Sequence, residues 1–321
     1  MRADINTIAR ECGVSKATVS RVFTGKASVS KAVKNKILAV ARELNYTPQQ
    51  VAAREVIAIV VKSLEDTKQA DGFRTILLIN LVAEITQSGY LVNIVEAKDM
   101  NKLLGSYTKA AVLLFNEMDA VNYTDQIKQM DIPLIAIGNK IDGCHCIYTN
   151  YEEELSTAVN KLVENGHERI SILLDNPETQ ASQERYEGYI KTLTKSNLAP
   201  LPLHRFKFGQ QSLIELLATI LQDEPTALVV CGESITNEVA YALNLLRVKV
   251  PLDLSLISFE KRDSSRWFSP PHTTIDQDID NTVHESIKLI KEVIKTPTKN
   301  AIIKLLPCKI IERNSIKNIK Q

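Results

Sequence analysis

Residues 7–23 read TIARECGVSKATVSRVF, and the spacing of small and apolar positions in this stretch decides the fold of the first part of the chain. Ile5, Ile8 and Ala9 recur at helical intervals and give a short helix over residues 5–10 one apolar face. Ala9 is small enough for a second helix to cross close to it. Gly13 tolerates the tight turn that follows, and Ser15 is a good N-cap for a second helix over residues 16–23. Val19 and Val22 then turn inward, leaving Lys16, Ala17, Thr18, Ser20 and Arg21 outward. A third helix over residues 31–44 sets Val33, Ile37, Val40 or Ala41, and Leu44 on one stripe. It closes an all-α three-helix head of the helix-turn-helix type. In such a head the outward N-terminal residues of the second helix reach base edges in a DNA major groove. Arg21 can bond a guanine at two atoms, and Thr18 and Ser20 suit phosphate oxygens.

Charge supports that reading. The chain of 321 residues has a formal net charge of only +1. Residues 1–50 hold nine Lys/Arg and three acids, so a basic head sits on a mildly acidic body. The length suits two or three domains, and 44% hydrophobic with 24% charged residues describes an ordinary globular protein. No apolar run is long enough to span a membrane. The N-terminus has no apolar core of a signal peptide, so the expected location is the cytoplasm, with no membrane partner. Five cysteines without framework spacing read as reduced thiols.

Beyond residue 55, short apolar runs alternate with amphipathic stretches of helical length. The runs are at 56–61, 90–95, 110–115, 133–137, 170–174, 227–231 and 254–259; the helical stretches are at 76–88, 153–165, 183–195, 212–222 and 234–246. This alternation predicts an α/β body of doubly wound parallel sheets with helices on both faces. More than 250 residues of it suggests two subdomains. Ligands of such sheets sit beyond the carboxyl ends of the strands, here in a cleft between the two. The final SIKNIKQ reads as a frayed basic tail, and Cys144-His145-Cys146 as a loop whose spacing cannot wrap a metal tetrahedrally. His167 reads as a helix-end residue near the negative pole of the dipole. No phosphate-cradling glycine motif, catalytic triad or paired carboxylates stand out, so neither a catalytic residue nor a cofactor or metal is expected.

The motifs GVSKATVSRV, Val29–Ser30 and LNYTP at residues 44–48 resemble the head of the lactose-repressor/galactose-repressor family of transcriptional regulators. ENGHERISIL (164–173), ERYEGY (184–189), PLDLSLISFE (251–260), SPPHTTIDQD (269–278) and KIIERNS (309–315) follow in family order, so the resemblance spans nearly the whole chain. It implies a helix-turn-helix domain over 1–48, a short hinge over 49–55 and a periplasmic-binding-protein-like core over 56–321. Within that core, subdomain 1 would cover about 56–147 plus 275–305, and subdomain 2 about 148–274 plus 306–315. It further implies a repressor that binds a pseudo-palindromic operator of double-stranded DNA as a homodimer, controlled by a small-molecule effector, most naturally a sugar. The residues it points to on the DNA side are Ser15, Lys16, Ala17, Thr18, Ser20, Arg21, Val29, Ser30, Tyr46, Gln50, Val51 and Ala52. On the effector side they are Phe73, Arg185, Gly232, Glu233, Glu260 and Trp267. Arg185 would fork onto a hydroxyl pair or a carboxylate, Glu260 would accept from effector hydroxyls, and Phe73 and Trp267 would stack.

Two departures from the family pattern stand out. Gly232-Glu233 and Thr149-Asn150 occupy places where sugar-binding members carry Asn-Asp and Asp-Asn. In the hinge, Glu55 takes the place of the leucine that wedges into the minor groove and kinks the DNA, and a carboxylate is repelled there. Weaker bending, or a wedge from Val51 or Val56, is the expectation. An effector-independent regulator and a small-molecule binding protein on the same fold remain the alternatives.

Overall fold

The protein is described from a computed structural model over residues 4–24, 29–44, 55–65, 72–103, 108–175, 179–207, 209–232, 235–260, 263–298 and 300–320. The head holds α1 (Ile5–Cys12), α2 (Lys16–Thr24) and α3 (Lys31–Glu43). Asp4 caps α1 by accepting from the Thr7 N–H at 2.8 Å. Gly13 ends it in the left-handed region at φ 67°, where a side chain would be strained. Ile8, Ala9, Cys12, Val19, Ile37 and Ala41 form its buried centre. Leu44, expected on the inner stripe, is exposed instead, because α3 ends one residue before it.

The body holds two six-stranded sheets. The first takes its strands from β1 (Val56–Val61), β2 (Leu91–Glu96), β3 (Thr108–Leu114), β4 (Leu134–Ile137), β5 (His145–Thr149) and β11 (Ile303–Leu306), in the order β11-β5-β4-β3-β1-β2. Every pairing in it is parallel. The second takes β6 (Ile170–Asp175), β7 (His204–Phe206), β8 (Ala227–Cys231), β9 (Ser255–Phe259), β10 (Thr273–Asp276) and β12 (Lys309–Ile311), in the order β12-β10-β9-β8-β6-β7. Only β12 runs antiparallel to its neighbour, β10.

Both faces of both sheets are covered, as parallel sheets require. Along β1, Ile57, Ile59 and Val61 enter one core, while Ala58 and Val60 enter the other. The first core is closed by α4 (Phe73–Gln87) and α11 (Ile279–Lys295), which pack against each other. The opposite face carries the short helices α5 (Glu117–Val121) and α6 (Thr124–Gln129). The second sheet is covered by α7 (Tyr151–Glu164) and α8 (Gln180–Lys195) on one side. On the other lie α9 (Leu213–Gln222) and α10 (Thr236–Leu245). The chain crosses between the two units three times: at residue 150, at 277–278 and at 307–308.

Two local expectations are corrected, and a third is refined. The C-terminal segment is not frayed. Ser315 is buried, its Oγ accepts from the Thr273 N–H at 2.7 Å, and the Ile319 N–H donates to the Asn165 carbonyl at 2.8 Å. His167 does follow the end of α7, its N–H donating to the Leu162 carbonyl at 3.1 Å. It is buried, its Nε2 donates to the Lys317 carbonyl at 3.0 Å, and desolvation holds its pKa below the usual value. Cys144 and Cys146, expected in a loop, belong to a buried core, with Cys146 in β5 and Cys144 just before it, and burial pushes the Cys144 thiol up to about 12. No helix among the described residues is long and apolar enough to cross a membrane.

Candidate DNA interface and ligand cleft

On the head, α2 is set by a local cap. The Ser15 hydroxyl accepts from the Thr18 N–H at 3.1 Å and sits 2.9 Å from the Thr18 hydroxyl. Lys16, Ala17 and Arg21 are exposed, Thr18 and Ser20 half-buried, and Val19 fully buried. A ridge of reader residues therefore stands over an apolar underside. Ser30 caps α3, accepting from the Val33 N–H at 3.4 Å, with Val29 half-buried beside it. Lys36 on α3 ties the turn down from below, donating through Nζ to the Cys12 carbonyl at 3.2 Å, one of the unpaired carbonyls at the end of α1. Tyr46, Gln50, Val51 and Ala52 lie outside the described residues. Glu55 is already part of the core: its carbonyl accepts from the Leu91 N–H at 3.0 Å, and its carboxylate sits 3.6 Å from Lys109 Nζ. It leads into β1 rather than serving as a free hinge residue.

Between the two sheets, a cavity of about 630 Å³ is lined by Phe73, Ile76 and Asn80 from α4, by Glu260 and Asp263 after β9, and by Asp276 to Asp280 where the chain crosses back. Its polar lining consists mainly of acceptors. Glu260 holds one wall: its carboxylate accepts from Arg313 at 2.7 Å and from the Thr274 hydroxyl at 2.8 Å. These bonds to the charged form overcome burial and hold its pKa below the usual carboxylate range. Phe73 opens α4 and faces the cavity, and a Cβ added at Gly138, just after β4, would stand 3.7 Å from its ring.

The sequence-based assignments divide here. Phe73 and Glu260 meet at one cavity; Arg185 and Trp267 do not line it. Arg185 is 7% exposed, and its Nε donates at 2.7 Å to Glu154, which is 0% exposed. Its guanidinium lies over the rings of Tyr151 and Phe259, with centroids 4.9 and 4.4 Å away. The other oxygen of Glu154 accepts from Gln277 Nε2 at 2.9 Å. Glu154 follows the first crossing, Gln277 lies in the second, and Cys308 in the third feels the Glu154 charge. Sequence reasoning missed Glu154 and Gln277; no motif links positions 31 and 92 residues from Arg185. Trp267 is 77% exposed, and the Arg266 guanidinium lies over its ring, 4.7 Å from the centroid. Gly232 serves backbone geometry: a Cβ there would stand 2.2 Å from the Asp175 carboxylate. Glu233 lies outside the described residues.

A helix-turn-helix with an exposed reader ridge, joined to a two-sheet core around a polar cleft, defines a ligand-responsive type of DNA-binding regulator. The comparisons with known proteins narrow this. The family model "Bacterial regulatory proteins, lacI family" matches residues 4–49, and the "Periplasmic binding protein-like domain" matches residues 159–316. The "HTH-type transcriptional repressor PurR" of Actinobacillus pleuropneumoniae serotype 3 is 27% identical over 99% of this chain and 100% of its own. A lac repressor dimer bound to operator and the anti-inducer ONPF superposes with a TM-score of 0.75 at 20% identity, covering 99% of this chain and 100% of the other. A CelR–cellobiose complex gives 0.70 at 18%, covering 98% and 100%. The chain belongs to the LacI family: it is a DNA-binding transcriptional regulator and not an enzyme.

Proposed function

We propose that the protein represses transcription by binding a pseudo-palindromic operator as a dimer, and that a neutral, hydroxyl-rich effector of the sugar class occupies the cleft. The observation that carries the effector class is the lining of the cavity. Glu260, Asp263, Asp276, Asp278 and Asp280 line it, and although Arg313, Arg266 and Lys309 already pair with Glu260, Asp263 and Asp278, a carboxylate keeps spare acceptor sites for donors on the ligand. Phe73 supplies an apolar face for a ring edge, while Arg185, the group suited to an anionic ligand, is taken up by Glu154. The cellobiose named with one structural neighbour and the ribose named with another, a LacI-family regulator from Enterococcus faecium, belong to the same chemical class.

Two α2 helices would enter successive major grooves roughly 34 Å apart. Exposed apolar residues support pairing of the cores: Ile79 on α4 and Ile94 on the adjoining edge strand β2 in the first subdomain, and Tyr241 and Leu245 on α10 in the second. With Glu55 held by Lys109, no apolar wedge is available at that position, which supports weaker bending of the operator than an inserted leucine gives. Effector binding would act through its different affinity for the closed and open cores, and so on the spacing of the heads. The test pairs two titrations. Fluorescence anisotropy on a library of palindromes should yield a specific operator. A panel of sugars should then shift the melting temperature and change operator affinity; a panel that is inert, while carboxylate or phosphate compounds are active, overturns the effector class.

A further inference from the structure

Glu117 belongs to the first subdomain and Gln180 to the second, yet the Gln180 N–H donates to the Glu117 carboxylate across the cleft. Gln180 is the first residue of α8, a helix of 16 residues, and its amide is one of the donors that a helix leaves unpaired at its start. The chain's own cap, Thr179, serves Ser182 instead, at 3.3 Å. Glu117 is held in position by buried Asn116, which caps α5 by accepting from the Asp119 N–H at 2.7 Å. Beside this bond, Ala181 packs onto a cluster that includes Phe115 and Tyr148 of the first subdomain and Tyr151 at the start of α7. The second oxygen of Glu117 is buried with no hydrogen-bond partner among the described residues.

We propose that Glu117 is a latch that closes the cleft in the absence of ligand, by capping α8 from the opposite subdomain. The positive pole of α8 attracts the carboxylate, and the short apolar contact at Ala181 excludes water from the bond. The unpaired oxygen keeps the latch weak, because a buried carboxylate with one of its oxygens unsatisfied is better solvated when the cleft opens. Closure is therefore the resting state but a reversible one, and a ligand that opens this end of the cleft has to displace Glu117 from the Gln180 amide.

Hydrogen exchange of the full chain, without DNA or effector, tests this independently of the operator and sugar readings. Glu117→Ala should speed exchange about tenfold or more across both lips, residues 115–123 and 179–185, as expected for loss of one charge-assisted hydrogen bond that holds them together. Glu117→Gln, which keeps an oxygen acceptor without the charge, should fall between. Gln180→Pro removes the donor from the other side. Proline suits the first helical position, and the extended backbone of Thr179 suits a following proline. It should reproduce the effect of Glu117→Ala, and the double variant should add nothing further. Amides of β8 serve as the folding control and should not change. A change confined to the Gln180 neighbourhood, or two additive effects, overturns the latch.

Discussion

Arg21 and Arg185 share a chemistry and have opposite fates. Arg21 stands on an exposed ridge, and its replacement by Ala should weaken the specific operator by about 1–3 kcal/mol while relaxing one base preference. A competition series over single-base operator variants checks this, and uniform weakening would make it a phosphate contact. Arg185 is enclosed, so its loss should act on stability. Arg185→Ala leaves Glu154 buried without its cation, and denaturant unfolding should show a loss of about 3–5 kcal/mol. Replacing both residues with Met should recover much of it, whereas an effector-binding role would leave stability nearly unchanged and alter affinity instead. The sequence made Arg21 legible because its neighbours fix the phase of α2. The surroundings of Arg185 are not legible in the same way, because its partner Glu154 sits on another helix, and a lone RYEG motif says nothing about whether the guanidinium faces a cleft or a carboxylate.

At the scale of elements, the long strands were legible because a parallel sheet covered on both faces demands an unbroken apolar run, as in β1, β8 and β9. The short strands escaped. β7 and β12 have three residues each, and β11 alternates exposed Ile303 and Leu305 with the rest. At edges such as these, pairing is set by the partner rather than by hydrophobicity. Helix contacts show a similar limit. Gly188, within α8, looks like a weak point in a helix, yet a Cβ there would stand 2.2 Å from the Glu152 carbonyl of α7. Gly→Ala in a helix interior ordinarily gains up to about 1 kcal/mol. Here Gly188→Ala should instead destabilise by about 1–3 kcal/mol, since the two helices must part, and a thermal melt distinguishes the signs.

Across the whole molecule, buried histidines set an acid limit. Burial and the charge of Arg313 hold His272 at about 4, below its ordinary 6.5, and burial alone lowers His167 and His145. Each therefore binds its proton more readily when unfolded, so stability is fullest above about pH 6.5 and falls as pH drops towards 4. Chemical denaturation across that range should trace the loss, and His272→Asn should flatten the curve. Chain order adds a constraint of another kind. β11 completes the first sheet by pairing Ile303 with Cys146, and β12 closes the second by pairing Ile311 with Thr274, with residues 307 and 308 between the two strands. The described head closes within residues 4–44, while both halves of the body need strands supplied by residues 303–311, so neither is complete until those are made. A chain cut before residue 303 would thus keep a complete head on a body whose two sheets each lack an edge strand.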